Sequence, residues 1–253
     1  MSEATIHRSL SAFADGVLLS ASRLELILRE ELSLAPSLFL LKLSGLPEGE
    51  AERLSHAQAL EVRTENTVLA RGVLTEVLRE ETEKGAVITA SFSPVLPLLD
   101  AFVSLSVPAG APLSRTLSLI LAAAGGIPLS FSGPDPALPR AQAFHGRAAD
   151  AVREALSVTD SRCCMTSAGL RVVPSSCGPP PLSLSPADLA GLPSPAGPHF
   201  CVPVRPAGWS VGDCLSVPFR GGMLKGTVIA RSLHLDSASG PWRAELLLER
   251  SSP

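Results

Sequence analysis

Residues 69–92 read LARGVLTEVLREETEKGAVITASF, and residues 224–249 read LKGTVIARSLHLDSASGPWRAELLLE. Each stretch opens with a basic residue beside a glycine, Arg71-Gly72 in the first and Lys225-Gly226 in the second. An apolar, β-branched run follows, then a polar tip, a second glycine (Gly85, Gly240) and another alternating run. The two glycines of each stretch stand 13 and 14 positions apart. Period-two alternation bounded by Gly, Asp, Ser and Lys is the pattern of a β-hairpin with long arms. Two such hairpins in one chain suggest two related β-units.

Ahead of the first hairpin, residues 1–16 read as a leader ending in the Asp15-Gly16 turn. Residues 17–34 alternate Leu24, Leu26 and Leu28 with Arg23, Glu25 and Ile27, a half-buried strand. SLFLLKLS (37–44) is a second strand, 45–53 an acidic turn region and 59–64 a third strand. Pro94 and Pro97 end the hairpin, and 98–107 is expected to close a first β-unit spanning 17–107. The pattern changes at Pro108. Leu117, Ile120, Leu121 and Ala124 share one helical face, which Gly125-Gly126 terminates. AFHGRAADAVREAL predicts a second helix through Leu156, with Ala148, Val152, Ala155 and Leu156 inward. A hairpin turning at 166–168 completes an α/β insert over 108–175. Ten prolines between 174 and 206, including Pro179-Pro180-Pro181, argue against helix interior and central strand, so this stretch is an extended connector or edge segment. Residues 176–253 are then a proline-rich connector and a second β-unit, which must recruit part of that stretch or the N-terminal segment.

Apolar residues make up 45% of the 253 and charged residues 18%, which places the chain among folded proteins. With no Tyr, two Trp and eight Phe, the core is built from Leu, Val, Ala and Ile, and a stacking platform for single strands is disfavoured. Net charge is −3 without a Lys/Arg cluster, against direct nucleic-acid recognition. No apolar run approaches the ~18 residues of a membrane helix, and the N-terminus lacks a signal-peptide pattern. Five cysteines without such a signal point to reduced thiols in a cytoplasmic setting.

Three constellations could carry chemistry. Gly208-Trp209-Ser210-Val211-Gly212 fits the G-x-S-x-G elbow of serine hydrolases, but an alternating run ending in Pro218 follows where a helix is required. Cys163, Cys164, Cys177, His199, Cys201 and Cys214 contain no C-x-x-C knuckle, and adjacent cysteines on a strand point to opposite faces, so no metal site and no cofactor is expected. His145 stands at the expected helix start, as a cap or a partner contact or, more often for a lone histidine there, a structural residue. In EVLREETE (76–83), Glu76, Arg79, Glu80 and Glu81 form a charged tip, either solvated or in contact with a neighbouring subunit.

Taken in order, SLFLLKLS, the first hairpin, PLSRTLSLILAAAGGIPL, AFHGRAADAVREALSVTDSRCCMTSAGLRVVP and GWSVGDCLSVPFRGG with the second hairpin and its Trp242 resemble the baseplate hub, or late control protein D, family of tailed phages and contractile injection machines, over residues 17–249. The resemblance implies a mainly β chain: two tail-tube-like antiparallel β-barrels flanking a small α/β unit. It implies a homotrimer whose six barrels form a pseudo-sixfold ring, a symmetry adapter between a hexameric tail tube and a trimeric spike. Its partners would be tube, spike, tape-measure or baseplate wedge proteins, in a virion tail baseplate assembled in the host cytoplasm. DNA would only pass through the channel, with Glu76, Arg79, Glu80 and Glu81 as lumen or subunit contacts. No cell-wall-degrading activity carries over, since the chain lacks a lysozyme-like extension. Another tube-end or distal-tail protein on the same barrel, and a hydrolase using Ser210, are the alternatives.

Overall fold

A strand that buries one face needs an apolar residue at every second position. Leu24, Leu26 and Leu28 meet that need, and all three are buried while Arg23 and Arg29 point the other way. A computed structural model of the chain describes residues 9–35, 37–65, 67–83, 85–175, 182–206 and 208–250. Most of the expected leader, together with Pro36, Cys177, Pro179, Pro180, Pro181 and Ala207, lies outside the described residues.

The first β region holds β1 (Ser11–Ala14), β2 (Val17–Leu19), β3 (Arg23–Glu31), β4 (Phe39–Ser44), helix α1 (Glu48–His56), β5 (Ala59–Arg63), β6 (Val68–Thr82) and β7 (Gly85–Ser93). Residues 11–14 are therefore a strand, paired with β2 and β5, and not leader. The expected acidic turn is largely α1: Glu48 and Glu50 in its first turn and Arg53 and His56 in its last complement the helix dipole, while Leu54 anchors it in the core.

The insert holds α2 (Leu96–Asp100), β8 (Phe102–Val107), α3 (Leu113–Ala123), β9 (Leu129–Phe131), β10 (Gln142–Arg147), α4 (Ala148–Leu156), β11 (Ser161–Thr166) and β12 (Gly169–Pro174). Two expectations change here. Residues 98–107 do not close the first β region, because Leu98, Val103 and Val107 pack in the insert's own core with Leu117, Ile120 and Val152. The segment Gln142–Arg147 is a strand antiparallel to β8, so the helix begins only at Ala148. An available edge outweighs the helix propensity of Ala143 and Arg147.

The second β region holds β13 (Leu182–Ser183), β14 (Ser194–Ala196), β15 (His199–Val204), β16 (Cys214–Phe219), β17 (Gly222–Asp236) and β18 (Trp242–Arg250). The proline-rich stretch thus does supply an inner strand: β15, with Pro203 in it, lies between β14 and β18, and Pro203 still accepts from Ala190 through its carbonyl. Its hairpin, β17–β18, matches β6–β7 in detail. Both have a 15-residue arm followed by a 9-residue arm. Val73 lies opposite Ser93 and Thr227 opposite Glu249, and each ladder then slips one residue later, between Leu74 and Glu76 and between Val228 and Ala230. The flanking strands also correspond: the order β3-β4-β7-β6-β5 recurs as β14-β15-β18-β17-β16.

The chain is mainly β with an α/β insert, but no closed barrel forms among the described residues. β17 instead pairs with β3, which joins both regions into one 13-stranded sheet. Its buried face is a single core in which Leu26, Leu41 and Phe92 of one region meet Val202, Leu246 and Leu248 of the other.

Gly72 and Gly226 occupy equivalent places because both hairpins pinch there. A Cβ on Gly72 would lie 2.5 Å from the carbonyl carbon of Ser93, and one on Gly226 would lie 2.5 Å from the carbonyl oxygen of Glu249. Gly72→Ala and Gly226→Ala should each cost about 1–3 kcal/mol, read from urea unfolding midpoints. Gly49→Ala, in α1 with open space around it, should instead gain about 0.5–1 kcal/mol.

Candidate subunit interface

A sheet edge exposes a row of backbone N–H and C=O groups, so an edge without a partner strand is a docking surface unless something blunts it. β6 is paired with β7 along its outer half, but its pairing with β5 stops at Ala59 opposite Val73. Leu74 still donates to the carbonyl of Gln58, and beyond it residues 75–81 turn one edge away from the sheet with no partner strand among the described residues. The four charged residues expected to act together stand on this edge, and alternation divides them. Glu76 and Glu80 share a face with the exposed Leu78, opposite Ser91, Val87 and Thr89. Arg79 and Glu81 share the other face with Val77. There Arg79 Nη1 donates to both Glu48 carboxylate oxygens of α1 at 2.7 and 2.8 Å, and its Nε donates to Glu81 at 2.9 Å.

The opposite end of the sheet is β14, which has β15 as its only partner strand among the described residues. Ala190 donates to the carbonyl of Pro203 and Arg205 donates to the carbonyl of Asp188, so the odd-numbered residues of β15 face β14. Opposite them, Ser194 pairs with Cys201 and Ala196 with His199. Period two then turns the backbone of Pro195 outward, where its missing N–H deprives nothing in the sheet.

Between the two ends lies the joint of β17 with β3. Leu233 sits opposite Leu28, His234 opposite Ile27 and Arg231 opposite Glu30. Glu30 and Arg231 are both buried, at 7% exposure each, and their ion pair spans 2.6 Å. Arg231 also donates to the carbonyls of Trp209 at 2.9 Å and Leu69 at 3.1 Å. Burial pushes the Glu30 carboxyl above the usual carboxylate range against the pull of Arg231. On the polar face His234 Nε2 lies 2.7 Å from Glu25, and Arg23 pairs with Asp236 at the strand ends.

Glu25, Glu30 and Arg231 are not candidates from the sequence reading. Glu30 and Arg231 do carry a signal: each is a charge at an apolar position of the alternation, in step with Leu24, Leu26 and Leu28 or with Leu233 and Leu235.

The other sequence candidates lie elsewhere. Ser210 sits in a turn, where its N–H donates to Asp213 at 2.8 Å, and the turn leads into β16 and not into a helix, so the elbow geometry is missing. His145 lies on β10 opposite Ser104, against the edge of the exposed Phe102 ring. Adjacent Cys163 and Cys164 point to opposite faces as expected, one into the insert's core and one into the main core, and burial pushes both thiols up to about 12. Cys163, Cys164 and Cys201 are free thiols, whereas Cys214 is disulfide-bonded, which departs from five reduced cysteines. Among the described residues no group of three or more His, Cys, Asp or Glu could hold a metal, and no helix is long and apolar enough to cross a membrane.

No protein-family model matches the chain, and no curated protein matches it. Solved structures do. A tail protein from Neisseria meningitidis MC58 aligns with a TM-score of 0.66 at 12% identity, over 95% of this chain and 96% of that one. A 43 kDa tail protein of prophage MuSo2 from Shewanella oneidensis aligns with a TM-score of 0.70 at 9% identity, over 96% and 97%. An Escherichia coli component of the type VI secretion system, structurally similar to the T4 phage tail proteins gp27 and gp5, aligns with a TM-score of 0.66 at 10% identity, over 95% and 77%. At these identities the likeness is one of fold: the chain has the fold of phage tail proteins.

Two outcomes test the joint. Arg231→Met should cost about 3–5 kcal/mol in urea unfolding by leaving Glu30 buried without its partner, and adding Glu30→Met should recover part of that loss. Hydrogen bonds from Arg23 hold the Asp236 carboxyl below the usual carboxylate range. The folded chain thus binds that proton less tightly than the unfolded chain, so the stabilisation is complete above about pH 4 and is lost as pH falls through the lowered value. Asp236→Asn should flatten the fall in urea midpoint between pH 4 and pH 2 relative to the parent protein.

Proposed function

We propose that this chain is a structural protein of a phage-type tail, acting as the baseplate hub. Three copies close a ring of six equivalent β-units, which adapts a hexameric tail tube to a trimeric spike and surrounds the channel for genome passage. In this reading residues 11–93 are the first β-unit, 96–174 the insert and 182–250 the second β-unit. The observation that carries it is the internal repeat: five strands in one order occur twice, and the edge of β17 that takes β3 corresponds to the edge of β6 left open. Two units per chain are what a trimer needs to present six similar surfaces to a sixfold tube and three to a spike. The likeness in fold to phage tail proteins supports the same reading.

Glu76 and Glu80 take the lumen role in this assembly, and Arg79 and Glu81 the subunit contact beside α1. The face shared by Glu76 and Glu80 also carries Arg29, Lys42, Arg243 and Glu245. Charges of both signs hold a channel wet without a continuous basic track to retain DNA.

Sedimentation of the purified 26.3 kDa chain is the test. A trimer, alone or with its tube and spike partners, supports the hub; a hexamer would instead favour a tube-end protein on the same fold. Reversing Glu76, Glu80 and Glu81 to Lys together should impair assembly and infectivity, and unchanged assembly and infectivity would remove Glu76 and Glu80 from the lumen role and Glu81 from the subunit contact.

A further inference from the structure

The repeat also specifies how one copy meets the next. Matching Val73 with Thr227 through the common ladder slip aligns Leu78 with Ser232, Arg79 with Leu233 and Glu80 with His234. Matching β4 with β15 through their pairing to β7 and β18 aligns Leu41 with Val202, and so Ile27 with Ser194, Leu28 with Pro195 and Arg29 with Ala196. Inside the chain, His234 faces Ile27, Leu233 faces Leu28 and Ser232 faces Arg29. Carried to the two open edges, this register sets Glu80 opposite Ser194, Arg79 opposite Pro195 and Leu78 opposite Ala196.

We infer that the open edge of β6 receives β14 of a second copy in this register, and that Pro195 restricts the contact to a one-way ladder. The inference rests on the ring reading above. Three features support it. Leu78 is 55% exposed at an edge position, and Ala196 of the next copy would cover it. Ser194, Pro195, Ala196 and Gly197 carry no long side chain, so a second backbone can approach. The backbone of Leu28, the counterpart of Pro195, faces β17, since Leu24 accepts from Ser237 and Leu32 donates to Ile229 on that same side. Pro195 therefore keeps the carbonyl of that position and removes its N–H. The joint between copies is weaker by design than the joint within the chain, because it lacks this donor and has no counterpart of the Glu30–Arg231 pair: the aligned residues are Gly197 and Val77. The chain then stays soluble as separate copies at low concentration and closes its ring when partners gather it.

Paired cysteines read the register. In a Cys201→Ser background, which removes the free thiol directly opposite residue 194, Glu80→Cys with Ser194→Cys should, on mild oxidation, give covalent trimers whose linked peptides contain residues 80 and 194. Glu76→Cys with Ser194→Cys, displaced by roughly 13 Å along the strand, should not. Pro195→Leu, which copies Leu28, should lower the concentration at which trimers dissociate by roughly tenfold, the equivalent of one added hydrogen bond. Trimers that form without the 80–194 link, or a Pro195→Leu chain that folds normally and dissociates at the parent's concentration, would overturn the inference and leave the ring intact. Absence of any trimer, with and without partners, would overturn the ring reading itself.

Discussion

Arg231 holds the sheet together at the joint of β17 with β3, where its two β regions pair. Its guanidinium reaches Glu30 on β3, the carbonyl of Trp209 before β16 and the carbonyl of Leu69 on β6. A charge taken out of water is costly unless its partners are close and directional, and here three segments far apart in sequence supply them. An aliphatic residue could fill the same space with comparable stability, but it would fix the register of β17 on β3 less sharply. That register matters, because a slip of one residue would turn Leu24, Leu26 and Leu28 out of the core.

The insert is fastened to the same region. Arg171 binds Asp213 at 2.8 Å and the carbonyl of Val211 at 3.0 Å, while Arg162 pairs with Glu249 on β18. Arg153 reaches the carbonyl of Leu34 after β3. Strand β11 lies between the two cores, and the adjacent thiols of Cys163 and Cys164 mark its two sides. The turn at 208–213 is thus held from one side by Arg171 and from the other by Arg231. This accounts for the Gly-Trp-Ser-Val-Gly stretch without catalysis: Gly212 adopts a positive φ of 87° with Val173 against it, and Val211 fills the core.

The two hairpins were legible because their content is local. Period two, the turn residues and the pinching glycines act within 25 residues or so of each other, as in the α3 helix with its Gly125-Gly126 stop. Residues 48–56 and 142–147 were not, since α1 needs the core contact of Leu54 and β10 needs the edge of β8. The charged tip was visible as a cluster of four, yet its division into two faces follows once the strand extends through Thr82.

By itself, the sequence determined a mainly β chain, a duplicated hairpin and an α/β insert, because short-range alternation and turn chemistry specify elements. Tertiary structure alone decided that the two β regions share one sheet, which strand joins them, and which edges stay open. Those outcomes depend on pairing between residues some 200 positions apart, such as Glu30 and Arg231, where nothing in the local pattern names the partner. The proline in β14 shows the difference most plainly. In sequence Pro195 is one of many in a proline-rich stretch, and only its place at the end of the sheet gives its missing N–H a direction.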